Sequence, residues 1–231
     1  MIKKKEIIVI IPAFNEENSV ANVIRDIPMD IVSEVIVVNN NSRDNTKLNA
    51  QKAGATVLDE KNQGYGFACL MGIAYARERI PKPDIILFID ADYSDHPEEI
   101  KFLIKPIMED DADMVIGSRA LGNRQKGSMT PQQIVGNKLA INLLKLLYGV
   151  KYTDLGPFRA IKFDKLLELK MKDTTYGWTV EMQLKAAKRK MKITEVPVSY
   201  RKRIGSSKIS GTVKGTVMAG YKIITTIFKH I

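Results

Sequence analysis

One cysteine, two histidines and no apolar run of bilayer length leave this 231-residue chain few of the common chemical devices. Cys69 stands alone, which excludes an intramolecular disulfide and suits a reducing compartment. His96 and His230 sit in no base-like motif. The first apolar run, Ile7–Ile11, stops at Pro12 and is too short for a signal-peptide core. No segment reaches the ~20 uninterrupted apolar residues that a spanning helix needs, so a protein integral to the membrane is not expected. No zinc-ligand spacing, aromatic RNA-binding motif or recognition helix accompanies the net charge of +10. That disfavours nucleic acid as the partner. The excess charge then fits a solvated basic surface, a phosphorylated substrate or an anionic membrane.

What is present is a regular alternation. Ile7–Ile11, Val35–Val38 and Ile85–Ile89 read as strands buried on both faces, with shorter strands at Ala55–Leu58 and Asp113–Gly117. Helical spacing fills Asn18–Asp26, Asp44–Ala53, Gly66–Arg79 and Pro97–Glu109 between them. Alternating β and α elements over residues 1–120 predict an open, mostly parallel α/β sheet. Ligands bind beyond the carboxyl ends of such strands. Three of those ends read PAFNEE, NNNSRDNT and DADYSD, so three polar segments should meet at one crevice.

Asp90 and Asp92 share one side of an extended backbone. At 4 Å two carboxylates repel by roughly 4 kcal/mol at an effective dielectric of 20. Mg²⁺ or Mn²⁺ would relieve this, with substrate phosphates completing the shell. The D-x-D spacing alone is common, and its place at a strand end gives it weight.

The ordered segments IIPAFNEE (10–17), NNNSRDNT (39–46), NQGYGFA (62–68), DADYSDHPEE (90–99), GSR (117–119), DLGPFRA (154–160), YGWTVEMQ (176–183) and EVPVSYRKRIGSSK (195–208) carry a resemblance. Together they resemble the inverting family 2 glycosyltransferases of the GT-A fold, in the polyprenyl- or dolichol-phosphate mannose or glucose synthase-like branch. That resemblance covers about residues 5–210. It implies a nucleotide pocket lined by Pro12, Ala13, Asn15, Glu16 and Gly64, with Asn39 reaching the base. Asp90 and Asp92 would hold the ribose and a divalent metal on the diphosphate, with Asp92 counted among the catalytic groups. Arg119, Arg159, Arg203, Ser207 and Lys208 become candidate phosphate or acceptor contacts, since guanidinium groups match phosphate geometry. Arg203 is also a catalytic candidate, steadying the departing nucleoside diphosphate.

Glu181 falls where many relatives carry the base that deprotonates an acceptor hydroxyl. A phosphate acceptor needs no such base, because its second pKa is near 6. Glu181 is therefore either catalytic or an orienting group. Two departures from the family pattern stand out. Asn39 and Asn40 replace a paired aspartate, leaving uridine and guanosine donors open. TPQQIVGN (130–137) lacks the arginine and serine that dolichol-phosphate mannose synthases place near the acceptor phosphate.

Gly211–Ile231 reads as an amphipathic helix, with Val213, Val217, Tyr221, Ile224, Phe228 and Ile231 on one stripe and Lys214, Lys222 and Lys229 off it. Gln133–Tyr148 shows a second apolar stripe of Leu139, Leu143, Leu146 and Leu147. Both helices either pack on the sheet or lie in a bilayer interface among anionic headgroups. The expectation is a GT-A domain over 1–210 and a helical appendage over 211–231, peripheral on the cytoplasmic face of a membrane. It would transfer a hexose to a polyprenyl phosphate. The alternatives are a GT-A transferase with a small soluble acceptor and a non-catalytic nucleotide-sugar-binding module that docks on membranes. Oligomeric state is not legible.

Overall fold

The computed structural model describes residues 5–205 and 213–229. Seven strands form one sheet in the order β3-β2-β1-β4-β6-β5-β7. The strands are β1 (Ile7–Ala13), β2 (Glu34–Asn39), β3 (Thr56–Asp59), β4 (Ile85–Phe88), β5 (Met114–Ser118), β6 (Arg159–Lys162) and β7 (Ile193–Pro197). Every pairing is parallel except those of β6, which runs against both β4 and β5. The open, mostly parallel sheet expected from the alternation is therefore present, with one reversed strand.

Burial explains the apolar runs. All seven residues of β1 and all four of β4 are buried, as in strands covered by helices on both faces. One face packs under α1 (Val20–Asp26), α2 (Thr46–Lys52) and α4 (Ile100–Glu109), through residues such as Val9, Ile11, Val37 and Leu103. The other packs under α3 (Tyr65–Glu78), α5 (Pro131–Tyr148), α6 (Phe163–Leu169) and α7 (Trp178–Lys188), through Ile8, Ile10, Phe88 and Trp178. Register places the carboxyl ends of β1, β2 and β4 at one edge: Ala13 faces Asn39, and Ile10 faces Phe88 two residues before Asp90.

The last helix, α8 (Val213–Lys229), packs on α5 and α7. Its seam is not the stripe that helical spacing marks. Ile227 is fully buried, Thr226 nearly so, and Ile223 packs on the core beside them. Tyr221 and Phe228 face outward, 65% and 51% exposed. Polar contacts help select this face, since the Tyr148 hydroxyl donates to the Ile227 carbonyl at 2.5 Å. The side chains of Val213, Lys214 and Val217, and all of His230 and Ile231, lie outside the described residues.

α5 begins with a reciprocal cap: Thr130 Oγ1 accepts from the Gln133 amide at 3.2 Å, and Gln133 Oε1 accepts from the Thr130 amide at 2.8 Å. Pro131 follows at the first helical position, and Gly149 ends the helix in the left-handed region. Loss of a cap hydroxyl costs about 1 kcal/mol. Thr130→Ala is expected to lower unfolding free energy by about that amount in a urea titration, whereas Thr130→Ser retains it.

Candidate functional site

A crevice of about 500 Å³ opens at the carboxyl edge of β1, β2 and β4. Pro12, Ala13 and Glu16 line it from the first strand end, Asn40 from the second, and Asp90 and Asp92 from the fourth strand's extension. Gly64, Tyr65, Thr175, Tyr176 and Arg203 complete its walls. A larger hollow of about 850 Å³ lies at the opposite edge, where Lys5 pairs with Asp84. The carboxyl edge gathers the unbalanced acids and is the better candidate.

Of the three strand-end loops, the first two are tied directly to each other. The Asn40 amide donates to the Ala13 carbonyl, Asn15 exchanges contacts with Ser42 and Arg43, and the Glu16 amide donates to Thr46 Oγ1 at 2.7 Å. Each loop also holds one non-glycine residue with positive φ: Asn15 at 53°, Asn41 at 60° and Tyr93 at 63°. Asparagine tolerates this region, whereas a bulky tyrosine there is an outlier of the kind that clusters at working sites. Arg201 holds Tyr93 in place: its guanidinium stacks 3.5 Å from the ring centroid and donates to the Tyr93 carbonyl at 2.7 Å.

Acid dominates the floor. Asp92 is buried, with Oδ1 accepting from the amide and hydroxyl of Ser94. Arg203 bridges two elements, reaching Asp92 Oδ2 at 3.2 Å and Glu16 Oε1 at 2.9 Å. Asp90 Oδ1 is buried without a hydrogen-bond partner. Burial, then the neighbouring Asp92 charge, pushes the Asp90 carboxyl up to about 7. Asp95 is buried with both oxygens unpartnered, and desolvation followed by Asp90 raises it well above the usual carboxylate range.

An orphaned carboxylate oxygen beside a second carboxylate fits a divalent cation. Among the described residues no three carboxylate, histidine or thiol groups converge on one point. Asp90 and Asp92 would thus hold such an ion only with ligands supplied by a bound diphosphate.

The other residues singled out in the sequence have different surroundings. Asn15 and Asn39 sit behind the lining, and the Asn39 amide donates to Asp59 Oδ1 at 2.9 Å. Arg119 makes two contacts of 2.7 Å with Asp154, and this neighbour, outweighing the burial that opposes its charge, holds its pKa above the ordinary value. Arg159 is wholly buried, donating to the carbonyls of Thr179, Leu155 and Gly156, and burial lowers it to about 10. Glu181, 3% exposed, is turned to the amides of Lys172 and Asp173 and to Lys185, away from the crevice. Ser207 and Lys208 lie outside the described residues.

Sequence reasoning passed over Thr175, Tyr176 and Asp95. Thr175 lies just ahead of YGWTVEMQ (176–183), whose first residue is Tyr176, but that segment drew attention to Glu181 alone, while the DADYSD spacing did contain a signal for Asp95.

Comparison with known proteins agrees with this geometry. The family model described as "Glycosyl transferase family 2" matches residues 8–169. A low-salt glycan biosynthesis hexosyltransferase of Haloferax volcanii is 32% identical over 214 residues, covering 90% of this chain but 50% of that protein. A UDP-N-acetylglucosamine–dolichyl-phosphate N-acetylglucosaminyltransferase of Methanococcus voltae is 29% identical, covering 95% of this chain and 93% of that one. Among solved structures, glucosyl-3-phosphoglycerate synthase of Mycobacterium tuberculosis, in complex with Mn²⁺, UDP and phosphoglyceric acid, superposes with a TM-score of 0.78. It is 23% identical, with 98% of this chain and 78% of that chain covered.

The raised Asp90 carboxyl has a consequence for stability. The folded chain favours the neutral acid, so it binds more protons than the unfolded chain between its ordinary value of 3.8 and about 7. This contribution is lost as pH rises through about 7. In metal-free melting curves the wild type is expected to lose stability as pH rises from 3.8 to about 7 and to level off above that, and Asp90→Asn to lose less. Parallel pH profiles for the two proteins would contradict the assignment.

Proposed function

The chain belongs to glycosyl transferase family 2 and is a glycosyltransferase of the GT-A fold, and from that premise we propose that it moves a hexose from a UDP- or GDP-linked donor to a polyprenyl phosphate with inversion at C1. The acceptor reading is carried by the outer surface of α5 and α8. Val135, Leu139 and Leu146 on α5, and Met218, Tyr221 and Phe228 on α8, are each at least 49% exposed. Lys138, Lys145, Lys222 and Lys229 flank these rows. Apolar rows edged by lysines suit a helix pair lying in the headgroup region. No described helix is long and apolar enough to cross a membrane. The dolichyl-phosphate relative in Methanococcus voltae supports the same acceptor class, and the site then works on the cytoplasmic face as a peripheral enzyme.

Within the crevice, Pro12, Ala13, Glu16 and Gly64 form the nucleotide side, with Asn15 and Asn39 bracing it from behind. Asp90 and Asp92 would hold Mg²⁺ or Mn²⁺ against the diphosphate. When bound, such an ion neutralises charge as the nucleoside diphosphate departs. Arg203, which pairs with Glu16 and Asp92, would share its charge with the leaving phosphates. Ser207 and Lys208 follow it in sequence and are assigned to the acceptor phosphate. Arg119 and Arg159 are engaged by Asp154 and by backbone carbonyls. The attacking phosphate oxygen is already anionic near neutrality, so no general base is required. The inward-turned carboxylate of Glu181 is consistent with that chemistry.

The soluble-acceptor reading has one supporting observation, the fold shared with a synthase crystallised with phosphoglyceric acid. Partition of product separates the two. The chain is incubated with radiolabelled UDP- or GDP-hexose, Mn²⁺ and either a polyprenyl phosphate in vesicles or 3-phosphoglycerate. Label should enter the organic phase only with the lipid, and Asp92→Ala should lower the rate by at least about 100-fold. Label appearing in a water-soluble product would favour the alternative, and donor binding without turnover on either would point to a non-catalytic module. Leu146→Ser with Phe228→Ser should reduce vesicle binding more than tenfold, given about 1.5–3 kcal/mol for each apolar side chain buried.

A further inference from the structure

A single loop, residues 170–177, separates the donor crevice from a second hollow of about 530 Å³ between α7 and α8. On the crevice side Thr175 and Tyr176 form the wall. The loop backbone presses on the start of α3: the Phe67 amide donates to the Thr174 carbonyl at 3.0 Å, and any Cβ at Gly66 would collide with the Asp173 carbonyl. Gly66 is therefore required by this close approach, and Tyr65 and Gly64 beside it line the crevice.

On the other side the loop is held by charge. Glu181 accepts from the amides of Lys172 at 3.1 Å and Asp173 at 2.7 Å, while Lys185 neutralises it at 2.6 Å. The Asp173 carboxylate accepts from the Thr175 amide at 2.8 Å and meets Lys222 of α8 at 3.1 Å. Thr226 of α8 packs so closely on Gly177 that a Cβ there would meet its hydroxyl. The carboxylates of Asp173 and Glu181 are 8% and 4% exposed, whereas Lys222 keeps 41% of its side chain in solvent, so the acidic end of each contact is the shielded one. Truncating one partner of a buried pair strands the other charge and disturbs whatever it holds.

We propose that Lys222 and Asp173, with Glu181, are positioning residues for the transfer reaction. They fix the crevice wall from α8, so the seating of the C-terminal helix sets the shape of the donor site. Lys222 touches neither the crevice nor the reacting groups. It acts through Asp173 on Thr175 and Tyr176, and through the loop backbone on Gly64–Phe67. The inference rests on the proposed donor reading for its effect on nucleotide affinity, and on the loop contacts alone for its effect on the wall.

Two readouts test it in vesicle-free solution with the full chain. In amide hydrogen exchange, Lys222→Met should speed exchange roughly tenfold at residues 172–175 and 64–67, with strands β1 and β4 unchanged. In titrations with UDP and Mn²⁺, followed by the fluorescence of the single tryptophan, Trp178, the same variant should bind roughly three- to tenfold more weakly. Lys222→Arg should restore both, and Asp173→Asn should reproduce both losses. Arg189→Met, in the same hollow but outside these contacts, should change neither. Unchanged exchange at 64–67 in Lys222→Met would overturn the proposal, as would failure of Lys222→Arg to rescue it. Altered exchange with unaltered UDP affinity would also overturn it. If the wild type binds no UDP, the donor reading falls, and the exchange pattern at 64–67 still decides the coupling.

Discussion

Four acidic groups, Glu16, Asp90, Asp92 and Asp95, crowd the carboxyl edge of a sheet whose strands are buried on both faces, and the fold around that edge is organised by the need to balance them. Arg203 crosses from the far end of the chain to bridge Glu16 and Asp92. Next to it the Ile204 amide donates to the Asp92 carbonyl, and Arg201 donates to the backbone carbonyls of Tyr93 and Asp95. Residues 200–204 thus form a cationic strap over the D-x-D loop. The balance is incomplete: Asp90 keeps an orphaned oxygen and a carboxyl raised to about 7. On the proposed reading, a cation and a phosphate-bearing ligand would complete that balance.

The frame explains why the acids are tolerated. β1 and β4 are locked between helices by side chains such as Ile10, Ile11, Leu87 and Phe88, all fully buried. Their ends have little freedom to part and relieve the repulsion. Trp178 joins the two halves of the site, lying edge-on to Phe88 at 4.7 Å and to Tyr65 at 6.0 Å. Behind it, Glu181 and Lys185 of α7 and Lys222 of α8 hold the loop that walls the crevice, the contacts on which the proposed coupling rests.

Much of this was legible in the sequence, because the governing signals were local. The buried strands read directly from Ile7–Ile11, Val35–Val38 and Ile85–Ile89, and the crevice from the polar segments that end them. The reversal of β6 was not legible, since a four-residue strand with three buried positions carries no mark of direction. Which face of α8 turns inward was also hidden. The spacing marks Tyr221 and Phe228, but the partners on α5 and α7 select Ile223 and Ile227. Arg119, Arg159 and Glu181 look alike as sequence candidates, and only the fold shows that their charges are met by Asp154, by turn carbonyls, and by loop amides with Lys185.

The most direct measurement is calorimetric titration of Mn²⁺ into the chain with and without UDP or GDP, in wild type and Asp92→Asn. The account predicts that the wild type binds Mn²⁺ tightly only when a nucleoside diphosphate is present, and that Asp92→Asn loses this coupling. Nucleotide binding that is indifferent to Mn²⁺, or equal in the two proteins, would contradict it.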